Sequence, residues 1–241
     1  MTQVAVGSQI WNYQEVGSGE GTPILILHGW GRSGNEWIQM AKELRRKVYL
    51  LDLPGFGGSS LPKVKSIFEY SELVGQFCKY MKISKVILVG HSLGGRVGIV
   101  LASQYLSLVE KLILIDPAGV KPKSMKRILL RGVAKMVAWV PSHVRRRLGE
   151  SVMDEDYRHS PALRDLYRAV VGKDLREYLP KIQCLTWVIW GERDPLLPLA
   201  LTDLYKKLLP YPTIRVIWEA GHDPHLTHPR ELMRLLEEVW T

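Results

Sequence analysis

Cysteine is scarce: Cys78 and Cys184 are the only two among 241 residues. They form neither a metal-ligand spacing nor a disulfide framework, which points to a reducing compartment. No apolar run approaches the ~18 residues that a membrane span requires. The opening stretch, MTQVAVGSQIWNYQEV, lacks the basic start, apolar middle and small-residue cleavage site of a secretory leader, so a cytoplasmic location is expected. Internal repeats and low-complexity tracts are missing as well. Acidic residues are absent from one segment in particular. Residues 121–147 hold nine Lys or Arg and no Asp or Glu, while the rest of the chain carries 24 basic and 24 acidic residues. The whole net charge of +9 therefore sits in 27 residues. A chain basic throughout would suggest nucleic acid. A neutral body with one basic patch points instead to a local partner surface.

What is present is ordinary for a globular protein: 46% hydrophobic and 24% charged residues, enough chain for one domain with an insertion. Short apolar runs alternate with helical patterns. ILIL (24–27), VYLLD (48–52), VILVG (86–90), KLILID (111–116), WVIWG (187–191) and IRVIW (214–218) read as strands. Helices are expected over Asn35–Arg46, Ser66–Met81, Leu93–Tyr105, 199–209 and about 229–240. Continuous apolar strands between helices imply an α/β fold with a mostly parallel sheet covered on both faces. Residues 3–16 alternate roughly and suggest an antiparallel edge hairpin. The pattern breaks between about 119 and 180, where the chain is helical, basic and strand-free. The expected organisation is a core of residues 1–118 and 181–241 with a helical cap inserted at 119–180. Ligands of such sheets sit at the carboxyl ends of the strands.

The run VILVGHSLGGRVG (86–98) contains Gly90-His91-Ser92-Leu93-Gly94, a G-x-S-x-G nucleophile elbow between a strand and a helix. The reversal is so sharp that the serine takes a strained backbone, and side chains two positions to either side would collide. The helix that follows favours negative charge developing at Ser92. The plain alternative is a Gly-rich turn with a surface serine.

With this elbow, the chain resembles the α/β-hydrolase superfamily over nearly its full length. The other shared motifs are His28-Gly29-Trp30-Gly31, Asp52-Leu53-Pro54-Gly55-Phe56-Gly57, Gly191-Glu192-Arg193-Asp194 and Gly221-His222. It looks most like the capped bacterial esterases and the carbon–carbon bond hydrolases. Serine needs a base. His222 follows the last strand, where the chain order Ser, acid, His requires it, with His225 and His228 as competitors expected to pack or bond locally. Asp194 is the matching acid, with Glu192 and Asp116 as alternatives. The resemblance assigns the oxyanion hole to the backbone N–H groups of Trp30 and Leu93. It implies that His28 braces its loop and that Asp52 is structural. A serine at the elbow, where dehalogenases and epoxide hydrolases have aspartate, implies an acyl-enzyme. That leaves esters, thioesters, lactones and activated ketones as substrates, with no metal or organic cofactor required.

In the cap, Met125, Leu129, Val133, Met136 and Val140 recur at three or four, and Lys123, Arg127, Arg131 and Lys135 at four. This is an amphipathic helix pattern with one apolar and one basic stripe. Arg145-Arg146-Arg147 adds charge. A solvated basic face is the bland reading. The functional readings are an acidic carrier protein, an anionic membrane surface or an acidic substrate. Pimeloyl-carrier methyl esterases share HGWG and basic caps but usually have tryptophan before the serine, where this chain has His91. Met136 and Trp139 are candidates to line an apolar pocket. The first expectation is a serine carboxylesterase acting on a small ester with an apolar acyl or alcohol part. A hydrolase of ring-cleavage dienones is the alternative, although its asparagine before the nucleophile and tryptophan after the histidine are replaced by His91 and Asp223. A perhydrolase would have proline where Gly31 stands. A non-catalytic ligand-binding member of the fold is the remaining alternative.

Overall fold

The computed structural model describes residues 1–121 and 160–240. Eight strands form one sheet in the order β1-β2-β4-β3-β5-β6-β7-β8. They are β1 Thr2–Val6, β2 Gln9–Val16, β3 Ile24–Leu27, β4 Val48–Leu51, β5 Val86–His91, β6 Val109–Ile115, β7 Leu185–Gly191 and β8 Pro212–Ile217. The hairpin β1–β2 is antiparallel and joins β4 antiparallel at the edge, as the alternation in 3–16 suggested. All other pairings are parallel, so the carboxyl ends of β3, β5, β6, β7 and β8 share one rim.

The apolar runs of β3, β4 and β5, and of the inner parts of β6 and β7, are continuous because both faces of these strands are covered. Leu25, Leu27, Leu88, Leu112, Leu114 and Val188 belong to one buried cluster. Their immediate neighbours Ile24, Ile26, Ile87, Ile113 and Ile189 belong to the other. This is the two-residue period of a strand with no solvent face to leave polar. Helices α2 (Ile67–Tyr80) and α3 (Leu93–Gln104) pack with the first cluster. Helices α1 (Ile38–Glu43) and α7 (Pro229–Trp240) supply Met40, Ala41, Leu232, Leu235 and Leu236 to the second. Ser66 caps α2 by accepting the Glu69 N–H (3.2 Å), while the Glu69 carboxylate accepts the N–H of Lys65 (2.9 Å).

Two expected helices are shorter than their patterns. The Asn35–Arg46 pattern opens as a 3₁₀ turn, Gly34–Trp37, and α1 ends at Glu43 because Leu44 turns extended. The 199–209 pattern likewise starts as a 3₁₀ turn, Leu199–Leu201, before α5 (Thr202–Leu208). Of the expected cap, residues 160–180 contain α4 (Pro161–Val171) and the beginning of a 3₁₀ segment, Arg176–Lys181. The amphipathic pattern, with Met136 and Trp139, lies outside the described residues. The remaining helix among the described residues, α6, is Pro224–Thr227.

Arg96 ties α4 to the sheet. It is 2% exposed on α3, and its guanidinium donates to the carbonyls of Val170 (2.8 Å) and Lys173 (2.5 Å), where α4 runs out of its own partners. Burial pulls the guanidinium down to about 10, which still leaves it charged at neutral pH. Replacement by methionine would leave these carbonyls without their donors at a cost of about 2 kcal/mol or more. Arg96→Met should therefore lower the denaturation midpoint and speed proteolytic cutting within 160–175. An unchanged cutting pattern would contradict this tie.

Candidate active site

The elbow is as sharp as its sequence requires. Ser92 has φ of 50° and ψ of −106°, a left-handed backbone costing about 1–3 kcal/mol for a residue with a side chain. Hydrogen bonds hold it: Ser92 N–H donates to Ile115 O (3.1 Å), and its carbonyl accepts from Ala118 N–H (3.1 Å). The flanking glycines are needed for space. A Cβ on Gly90 would lie 2.5 Å from the Gly94 carbonyl oxygen, and one on Gly94 would run into that of Leu27. Gly94 N–H donates to His28 O (3.1 Å), which fastens the first turn of α3 to the loop carrying Trp30.

His222 follows β8 by a short turn. Its Nε2 is 3.0 Å from Ser92 Oγ and its Nδ1 is 2.7 Å from Asp194 Oδ2. Asp194 is fixed in turn, with Oδ1 accepting from the N–H groups of Leu196 (2.7 Å) and Leu197 (2.9 Å). Its side chain is fully buried, while that of His222 keeps 12% exposure. Such an array can pass a proton from the hydroxyl to the ring while the carboxylate holds the ring's tautomer. The Leu93 amide occupies the first position of α3, where no carbonyl of the same helix can reach it. Trp30 lies between Phe56 (ring centroids 4.8 Å apart) and Tyr167 of α4 (5.1 Å), both edge-on.

The other candidates have separate tasks. His28 Nδ1–H donates to Gly29 O (2.7 Å) and its Nε2 accepts the Leu53 N–H (2.9 Å), so this ring braces two loops. Asp52 accepts from Gly34 N–H, Asn12 Nδ2 and Gly58 N–H. Glu192 accepts the Glu219 N–H at 2.9 Å. His225 stacks flat on Trp37 at 4.2 Å, and His228 bonds to Thr227 Oγ1. Asp116 directly follows β6 with φ of 41°, fully buried, and its Oδ1 accepts the Gly191 N–H (2.9 Å).

Some contacts escape the sequence. The Nε2–H of buried His91 donates to the backbone carbonyl of His222 (2.8 Å), linking the residues beside and opposite the serine. Its only signal was a polar residue closing an apolar strand. Arg32 reaches Asp223 (2.8 Å) and Glu36 (3.6 Å), joining the Trp30 loop to the His222 loop. Glu36, His91 and His225 bring donor atoms within 4.8 Å of one another, as do Asp116, Asp194 and His222. In the first group, Arg32 already lies on Glu36, and its positive charge opposes a metal cation there.

The profile of the alpha/beta hydrolase family matches residues 24–235. The chain belongs to that family. Among relatives of this hydrolase is the monoacylglycerol lipase ABHD6 of Bos taurus, 26% identical over 88% of this chain and 73% of that protein. Another is a pimeloyl-[acyl-carrier protein] methyl ester esterase of Vibrio vulnificus, 24% identical over 90% of this chain and 94% of that one. A solved membrane phospholipase A, described as a bacterial virulence factor, superimposes with a TM-score of 0.80 at 27% identity, covering 98% of this chain and 84% of that one. No helix among the described residues is long and apolar enough to cross a membrane.

Burial holds the imidazoles of both His28 and His91 below the ordinary 6.5, and the neighbouring rings of His225 and His222 add to the effect at His91. The unfolded chain therefore takes up protons first as pH falls. The stability tied to these neutral rings is complete above about pH 6.5 and is lost as pH drops toward the depressed folded values, by up to ~1.4 kcal/mol per pH unit for each ring. Denaturant titrations at pH 7.5 and 5.5 should give a lower unfolding free energy at 5.5. His91→Gln should show a smaller loss; an equal loss would refute the contribution of His91.

Proposed function

We propose that this protein is a serine-dependent carboxylic ester hydrolase. The observation that carries the reading is the continuous line from Ser92 Oγ through His222 to Asp194, at 3.0 and 2.7 Å. Ser92 Oγ attacks the ester carbonyl carbon as its proton passes to His222 Nε2, and Asp194 stabilises the resulting imidazolium. The carbonyl oxygen becomes an oxyanion that accepts from the backbone N–H groups of Trp30 and Leu93. The intermediate collapses when His222 returns the proton to the leaving alcohol, which leaves an acyl group on Ser92. Water, deprotonated by His222, attacks that acyl carbon and releases the acid.

The substrate class in this reading is a small ester with an apolar acyl part. The relatives named as a monoacylglycerol lipase and a membrane phospholipase A support it. As part of this reading we assign residues 119–180 to a helical cap, with Met136 and Trp139 as the candidates for an apolar acyl or alcohol pocket. The basic and apolar stripes of 121–147 favour an anionic lipid surface as the partner of that cap, because charge attraction and apolar burial then act together.

A panel of p-nitrophenyl esters of graded acyl length tests the reaction. Wild type should turn over a chain-length-dependent subset, and Ser92→Ala should lose at least about 10³-fold in kcat/KM. Absence of turnover in wild type would sink the ester hydrolase reading and turn attention to dienone hydrolysis or to ligand binding alone. For the cap, Arg145, Arg146 and Arg147 changed together to glutamine should lower turnover of esters in anionic vesicles several-fold relative to soluble esters, with the difference vanishing at high salt. Equal rates in both settings would remove the surface reading.

A further inference from the structure

Asp116 is an acidic side chain beside the Ser92–His222–Asp194 line that the proposed reaction leaves unused. Its Oδ1 accepts the Gly191 N–H, but its Oδ2 is buried and has no hydrogen-bond partner. A carboxylate oxygen of Asp116, one of Asp194 and a ring nitrogen of His222 all lie within 4.8 Å of one another. Two carboxylates this close, both fully buried, do not both ionise. The backbone decides between them. Asp194 has three donors facing it, from Leu196 N–H, Leu197 N–H and His222 Nδ1. Asp116 has one, from Gly191 N–H. The ionised form belongs where the donors are, so the shared proton falls to Asp116. A carboxylate has about four acceptor sites, which leaves Asp194 room for one more donor.

We propose that Asp116 is a positioning residue that holds a proton on Oδ2 and donates it in a hydrogen bond to Asp194. This rests on the proposed role of Asp194 as the partner of His222. Burial, with the charges of Asp194 and Asp223 nearby, pushes the Asp116 carboxyl up to about 9, in keeping with that assignment. The bond spreads the charge of Asp194 and gives its carboxylate a second side-chain partner beside the imidazole. Asp194 then orients His222 without gripping the imidazolium so tightly that the proton cannot be returned. The left-handed φ of 41° at Asp116 is strained, and its Oδ1 is held by the Gly191 N–H at the end of β7.

The test reads the proton directly and needs no substrate. At pH 7 the infrared difference between wild type and Asp116→Asn should contain a protonated-carboxyl C=O band that the variant lacks. In a histidine NMR titration of the resting protein, Asp116→Asn keeps a neutral donor and should leave the His222 pKa where wild type has it. Asp116→Ala removes the donor and should raise that pKa by on the order of 0.5–1 unit. A missing carboxyl band means that Asp116 is ionised and overturns the proposal. A downward shift in either variant overturns it too, since that is what loss of a negative charge beside His222 produces. An Asp116→Ala protein that folds with an unchanged His222 pKa reduces the residue to scaffolding. Should Asp116→Ala fail to fold, the infrared band and the Asn titration still decide. Lack of ester turnover would sink the hydrolase reading while leaving this proton assignment open to the same measurements.

Discussion

The reversal of the chain at Ser92 governs the rest of the molecule. A strand must become a helix within one residue, and that residue carries a side chain in a left-handed conformation. The strain persists only because its surroundings determine it: a bond from Ser92 N–H to β6, a bond from Gly94 N–H to the His28 carbonyl, and glycines where any Cβ would strike backbone. From this turn the serine oxygen projects at the rim, and α3 begins with an N–H group free of helical pairing. The parallel sheet then brings the ends of β6, β7 and β8 beside it.

Around that turn the loops are locked by buried polar bonds rather than by apolar packing alone. His28 joins the first loop to the second, His91 holds the backbone of His222, and Arg32 bridges from the Trp30 loop to Asp223. Each contact removes freedom from a group that must sit within a few tenths of an ångström of its partner. Buried polar groups are costly unless paired, so loops fastened this way resist displacement. Among the buried oxygens and nitrogens of the described residues that lack a hydrogen-bond partner are Asp116 Oδ2 and His91 Nδ1, next to this network. Both border the Ser92–His222–Asp194 line, where a well-packed core would not leave an unpaired polar atom without reason.

Strands β3 to β7 were legible because each is buried on both faces over its apolar run, while β8 is only partly buried along most of its length. Only their ends differ, β6 beginning at Val109 and β8 at Pro212, ahead of the apolar runs. The helix patterns at 35–46 and 199–209 were overstated, since each gives its first turn to 3₁₀ geometry. At the site, Ser92, Asp194 and His222 could be picked out because a sharp turn demands glycines and the acid and base follow strands in fixed order. His225 and His228 could be set aside only by position, and their stacking on Trp37 and bond to Thr227 give the physical reason.

By itself, the sequence determined the sheet, its mostly parallel sense, the turn that presents Ser92 and the family. These follow from local rules: two-residue and 3.6-residue periods, steric limits on backbone, and residues adjacent along the chain. Tertiary structure alone decided which polar groups meet. The His91 bond to the His222 carbonyl joins residues 131 apart, and the Arg32 bond to Asp223 joins residues 191 apart. Likewise, only the alignment of β6 against β7 sets Asp116 beside Asp194. A proton's place between two carboxyls depends on distance, burial and the number of N–H donors around each, and none of these is a property of residues read one at a time.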